Sequence, residues 1–350
     1  LKGFLAKLAL LVIATLFLQV SAYEILNRMP DRDELSFYSE IITRLPRNVR
    51  LAREFVRQGR EVIFFGDSVD LSRSHLDGNK SPLHRMIQDR LPGQTIGPLV
   101  HEGYNMDTFL AYAGYISSST RKPRLVIIPV NMRSFSPQWD ADPSCQFDME
   151  RQVLSGGYLK RVFLKPLILF GAVKQRGISR EEYENTPVFN GSQMVGRVRD
   201  FLGESFREPS DGKTEKKLVF HYMYSLEPGH RKLVSMAKMA NVLKRSGIKP
   251  LFYITPIDRE TGDKYLGPDF TRRIKANTAI IKQVLTSQGM GCLDLSLDLP
   301  AGAFHWQPNL YPNEHLNEKG RLYVAARVAR EAEKALRESQ PTGEGRNGGR

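Results

Sequence analysis

The chain has 350 residues, 41% hydrophobic and 25% charged, which excludes a chain disordered overall and suits one large domain with an insertion, or two domains. Its formal net charge of +13 implies attraction to something acidic, such as anionic lipid, anionic polysaccharide or nucleic acid. No zinc-finger spacing, RNP motif or concentrated Lys/Arg block occurs, so no nucleic-acid partner is expected. The two cysteines, Cys145 and Cys292, lie far apart with no CxxC, and read as separate buried thiols, a single bridge outside the cytoplasm being the alternative.

Residues 1–26 open with Lys2 and Lys7 ahead of an uncharged apolar run, Leu8–Leu18. That order predicts export with the N-terminal side kept in the cytoplasm. Leu8–Leu26 approaches the ~20 residues of a spanning helix, whereas Val20-Ser21-Ala22 would serve as a signal-peptide cleavage site. The anchor is preferred, and either reading puts the body outside the cytoplasm. Residues 27–60 form a linker and an amphipathic helix, which opens at Pro46 and stops at Gly59. Arg47, Arg50, Arg53, Arg57 and Arg60 line the side of that helix opposite its apolar face. They read as a solvated basic face, or as one resting on anionic lipid.

The stretch Val62–Gly66, rich in β-branched and aromatic residues, predicts a short buried strand that ends in the polar turn Gly66-Asp67-Ser68. Helices are expected around Pro82–Leu91 and Met106–Ser118. Between them lies a weak strand, Gln94–Val100, compromised by Gly97 and Pro98. Arg124–Val130 is a clear strand ending at Asn131. The pattern then dissolves over about 132–230, read as an insertion or cap with a loop around Trp139–Phe147 and an apolar segment at Tyr158–Val173. Regular elements return with a helix at Arg231–Ser246, a strand at Ile248–Pro256, a helix at Pro268–Gln288 and a strand at Gly291–Leu295. A loop through His305 and Trp306 leads to a last helix, Glu318–Glu338, and residues 339–350 read as a disordered tail. The alternation predicts a parallel sheet with helices on both faces.

Ser68, Gly103, Asn131 and His315 thus fall at carboxyl ends of strands or in the last loop, where open α/β sheets place their ligands. Four blocks carry these residues in order: FFGDSV, HEGYN, VIIPVN and EHLNEKG. Together, over residues 61–338 without the insertion, they resemble the SGNH (GDSL-like) hydrolase superfamily. The resemblance implies a flavodoxin-like, three-layer α/β/α fold with a five-stranded parallel sheet in the order 2-1-3-4-5. Strands about 4.8 Å apart would then bring three neighbouring strand ends to one reacting carbonyl. It also implies Ser68 as nucleophile, His315 as base, and an oxyanion hole made by the backbone N–H groups of Ser68 and Gly103 and the side chain of Asn131. Asp67 is expected to shape the turn, and neither cofactor nor metal is called for.

One position departs from the family pattern. The acid usually found three residues before the histidine is replaced by Pro312. The groups left to orient the imidazole are Glu314, Asp294, Asp298 or a backbone carbonyl. By the same resemblance, the chain is expected to be an esterase or O-acyltransferase acting on cell-surface carbohydrate or another acyl ester, attached to the cytoplasmic membrane and served by a multi-pass membrane acyl-transfer partner. A non-catalytic scaffold of a polysaccharide-modifying complex and a lipid-directed esterase are the alternatives.

Overall fold

A computed structural model of the chain describes residues 1–28, 45–169, 179–189, 194–195, 197–199, 211–305 and 314–339. Its elements in order begin with α1 (Lys2–Leu26), α2 (Arg47–Gln58), β1 (Val62–Gly66), α3 (Ser68–Leu71), α4 (Leu83–Gln88), β2 (Ile96–Val100), α5 (Met106–Ser117) and β3 (Leu125–Val130). There follow α6 (Pro137–Ala141), α7 (Asp148–Ser155), α8 (Tyr158–Leu169), α9 (Arg180–Glu184), β4 (Val188–Phe189), β5 (Met194–Val195) and α10 (Asp211–Tyr222). The chain closes with α11 (Arg231–Arg245), β6 (Lys249–Ile254), α12 (Arg259–Leu266), α13 (Asp269–Ser287), β7 (Cys292–Asp294) and α14 (Glu318–Glu338).

Five strands pair in parallel in the order β2-β1-β3-β6-β7, while β4 and β5 form a separate antiparallel hairpin. Counted along the main sheet alone, this is the expected 2-1-3-4-5. Alternation decides the layers, because successive side chains on a strand point to opposite faces. Ile63, Phe65, Val126 and Ile128 join one core with α2, α5, α11 and α13. Val62, Phe64, Leu125 and Ile127 join the other core with α4 and α14. Both faces are covered, so the central strands read as unbroken apolar runs rather than as alternating ones.

The weak strand pairs with β1 over five residues, as the sheet edge. Pro98 is tolerated there because an edge strand needs only one row of ladder bonds. Gly97 has a packing reason: a Cβ at that position would meet the Phe55 ring at 2.7 Å.

The segment expected to lack pattern is largely helical where it is described, including α6 within the supposed loop Trp139–Phe147. Several helices there are short, α6 and α9 having five residues each, and the twelve-residue α8 carries Pro166 inside it. Periodicity needs a window of about eleven residues or more to register. The eight-residue α12, capped by the Asp258 side chain, escapes notice for the same reason. Cys145 and Cys292 are both free thiols. Of the tail expected over 339–350, all but Ser339 lies outside the described residues, as do the Trp306 and Pro312 positions.

α1 has 25 residues, roughly 37 Å of helix. Among the described residues it is the one helix long and apolar enough to cross a membrane. Phe17 and Leu18 are 70% and 67% exposed, but Tyr23 is buried. The Gln19 amide donates to the carbonyl of Val162 at 2.9 Å, and Tyr23 meets Tyr158 edge to face. The last two turns of α1 are therefore built into the body against α8.

Candidate active site

β1 delivers the chain to the sheet's carboxyl edge. Asp67 caps α3 there, its Oδ1 accepting from the Val69 N–H at 2.9 Å. The cap puts Ser68 at the first helical position, partly exposed among otherwise buried neighbours. Helix starts leave backbone N–H groups unsatisfied. Among the described residues, neither the Ser68 nor the Gly103 N–H donates an intramolecular hydrogen bond. Gly103 has φ +81°, a left-handed conformation suited to glycine, and a Cβ there would sit 3.2 Å from Cys145 Sγ. The turn is held by Asn105, which caps α5 through the Asp107 N–H and donates to the carbonyl of Cys145 at 2.8 Å.

His315 reaches the same place from the far end of the chain. A bridge pairs Phe304 with Leu316, and the His305 N–H donates to the His315 carbonyl at 3.0 Å. A buried clamp then locks this block to the loop that follows Ser68. Arg321, wholly buried on α14, donates to Asp77 at 2.8 Å and to the carbonyls of Ser72, Leu316 and Asn79. Asp77 also accepts from the N–H groups of Ser74 and Glu318, and Ser72 Oγ donates to the Leu316 carbonyl at 3.0 Å. The outcome is a His315 Nε2 to Ser68 Oγ distance of 3.2 Å. Burial lowers the His315 pKa below the ordinary imidazole range; the Glu314 carboxylate opposes that shift and Arg133 adds to it. At neutral pH the ring is therefore uncharged and can accept a proton.

The third strand end is crowded with charge. Asn131 donates from Nδ2 to Asp67 at 2.9 Å and to Glu314 at 3.4 Å, while its Oδ1 accepts from the Arg133 N–H. One amide hydrogen is thus firmly engaged and the other only loosely held. Burial pushes the Asp67 carboxyl up to about 6, against the hydrogen bonds from Asn131 and Val69. Glu314 is as deeply buried, and burial opposes its charge, yet Arg133, His315 and Tyr222 bring it down to about 2. Arg133 lies 3.2 Å from Glu314 and Tyr222 donates to it at 2.5 Å. Asp67, Asn131, Arg133 and Glu314, with Trp139 and Lys232, line a cavity of about 20 Å³ beside Ser68, room for roughly one water. The Trp139 ring lies under the Arg133 guanidinium, 4.5 Å away. Lys232 is buried, donating to the Ser134 carbonyl and lying 3.4 Å from Asp140.

Two of the proposed orienting acids are corrected. Asp298 accepts from Tyr323 and pairs with Arg327, and Asp294 accepts from Ser296 and pairs with Lys282. Both belong to the β7 side of the sheet, and neither bonds to His315. Glu314 turns away from the ring toward Asn131, Arg133 and Tyr222 and acts on His315 through charge alone. Asp67 shapes the turn as expected and also holds the Asn131 amide. Arg133, Trp139, Tyr222, Lys232 and the Asp77–Arg321 clamp were not singled out from the sequence. Among the described residues no group of three or more His, Cys, Asp or Glu side chains could hold a metal ion.

No family model and no curated protein matches the chain. Among solved structures it is similar to a lipase/acylhydrolase from Enterococcus faecalis, at 11% identity and TM-score 0.37, with 79% of this chain and 96% of that one covered. An acetylxylan esterase from Geobacillus stearothermophilus is similar at 12% identity and TM-score 0.34, over 79% of this chain and 94% of that one.

Proposed function

We propose that the protein is a membrane-anchored serine esterase or O-acyltransferase of the SGNH type, acting outside the cytoplasm on small acyl esters of cell-surface carbohydrate. The observation that carries this reading is the 3.2 Å approach of His315 Nε2 to Ser68 Oγ, with the N–H groups of Ser68 and Gly103 beside it. Ser68 Oγ attacks the ester carbonyl while its proton passes to His315 Nε2. The two N–H groups and the loosely held hydrogen of Asn131 take the negative charge that develops on the carbonyl oxygen. Collapse expels the alcohol, which takes the proton from His315, and leaves an acyl-Ser68. Water or a carbohydrate hydroxyl then removes the acyl group by the same steps in reverse. The narrow cavity under Trp139 favours an acetyl group over longer acyl chains. Anchoring is supported by α1, whose docked end includes the residues of the cleavage site considered at Ala22. The net positive charge suits an acidic polymer, and a multi-pass membrane partner would present the acyl donor to a transferase.

Hydrolysis of p-nitrophenyl acetate tests this: turnover is expected from the whole chain and only background from Ser68→Ala. Equal rates in the two would overturn it. Adding carbohydrate acceptors to active protein then separates transfer from hydrolysis. One observation favours a second reading, a non-catalytic scaffold that keeps the fold. Glu314 is an ionised acceptor on Asn131, at the spot where an oxyanion would otherwise be the acceptor. Absence of turnover from folded protein would select that reading.

A further inference from the structure

Gly103 is the third residue of the turn His101–Tyr104, closed by the Tyr104 N–H donating to the His101 carbonyl at 3.2 Å. Its φ of +81° marks a type II turn, because type I needs a negative φ at that place. The two types differ by a flip of the central peptide, here Glu102–Gly103, which exchanges the sides taken by its carbonyl and its N–H. The turn type therefore decides whether the cavity beside Ser68, which Gly103 lines, meets a donor or an acceptor.

His101 is bonded to that same peptide. Its Nδ1 lies 2.7 Å from the Glu102 carbonyl, and because a carbonyl only accepts, Nδ1 carries the hydrogen. The His101 N–H donates to the Gly66 carbonyl at 3.3 Å, which ties the residue to the end of β1 just ahead of Ser68. Tyr104 stacks on the imidazole with ring centroids 5.2 Å apart. Phe147, the one non-glycine with a positive φ among the described residues, meets both rings edge-on. Tyr104 is in turn pinned at its buried hydroxyl, which accepts from Asn48 at 2.9 Å and donates to Glu150 at 2.5 Å. We propose that His101 is a positioning residue for acyl transfer: through the Glu102 carbonyl it keeps the Gly103 N–H turned toward the developing oxyanion. The proposal rests on the acyl-transfer reading of Ser68. The oxyanion forms only as the ester is attacked, so the bond acts on kcat and not on ester binding.

Two measurements on the full chain in detergent test it. His101→Phe keeps a stacked ring and removes the donor. It should lower kcat for p-nitrophenyl acetate about tenfold, part of the roughly hundredfold that an oxyanion donor lost outright costs. KM and the urea unfolding midpoint should not change, His101 being exposed. The second measurement needs no turnover. Nitrogen NMR of protein carrying isotope-labelled histidine, recorded above the imidazole titration, should show His101 with its hydrogen on Nδ1, whereas a neutral imidazole free in water holds it mostly on Nε2. The signal is identified by its absence from His101→Phe. A hydrogen on Nε2, or an unchanged kcat in His101→Phe, would overturn the proposal. So would a loss carried by KM, which would make His101 a binding residue. Absence of Ser68-dependent turnover from folded wild-type protein would overturn the reading at Ser68 and this role with it, whereas Nε2 hydrogen on active protein removes the role of His101 alone.

Discussion

The two sides of Ser68 are built on different principles. On one side, His315 is placed by backbone: the bridge at Phe304 and Leu316 and the Asp77–Arg321 clamp fix it against the loop that carries Ser68. Its ring is kept neutral by burial. On the other side, Asn131 is placed by side-chain charges, between Asp67 and an ionised Glu314 that Arg133 and Tyr222 hold. The first arrangement resists change until the clamp fails. The second shifts with every charge altered in it, so substitutions on the two sides should differ in kind.

The largest effect is expected from removing the base. His315→Ala should lower ester turnover about ten-thousandfold or more with folding intact, read as kcat/KM on p-nitrophenyl acetate beside circular dichroism. Next comes the clamp. Arg321→Met leaves Asp77 charged without its partner, and breaking a buried pair costs about 3–5 kcal/mol. Urea unfolding should show that loss, and a change under 1 kcal/mol would mean the clamp does not hold the histidine block.

On the oxyanion side, Asn131→Ala should lower kcat about a hundredfold with little change in KM, the size of one lost oxyanion donor. A smaller drop would mean that its second hydrogen stays with Glu314 during the reaction. Glu314→Gln tests charge alone. The Glu314 carboxylate raises the His315 pKa and Arg133 lowers it, so removing the carboxylate must lower that pKa further. Turnover needs neutral His315, so the rising acid limb of the pH–rate profile, already centred below the ordinary imidazole value, should move to still lower pH. An upward move would contradict the assignment of charges around the ring. The smallest effect is expected from Trp139→Ala, which opens the cavity and should raise butyrate relative to acetate turnover by about tenfold.

The frame was legible because long periodic elements announce themselves: α11, α13 and α14 were each expected within a residue or two of their observed ends. Ser68, Gly103 and Asn131 could be placed for a similar reason, each lying just past a strand that the sequence marks. What was not legible depends on long-range pairing. Nothing in a single sequence distinguishes Arg321, wholly buried, from the exposed arginines elsewhere on α14. Glu314 was a candidate to orient the imidazole by its place next to His315, but its side chain turns away from the ring. The partners it turns toward, the Arg133 guanidinium and the Tyr222 hydroxyl, lie 181 and 92 residues away. Asp294 and Asp298 were plausible by chain position and excluded only once their own partners appeared.

If His315 makes Ser68 a nucleophile, the serine can be trapped covalently. Whole protein treated with a fluorophosphonate and digested with trypsin should carry the phosphonyl group on the peptide Glu61–Arg73, which contains Ser68. His315→Ala should slow its formation at least a thousandfold, and Ser68→Ala should abolish it. No adduct on folded wild-type protein, or an adduct that survives Ser68→Ala, would contradict the account.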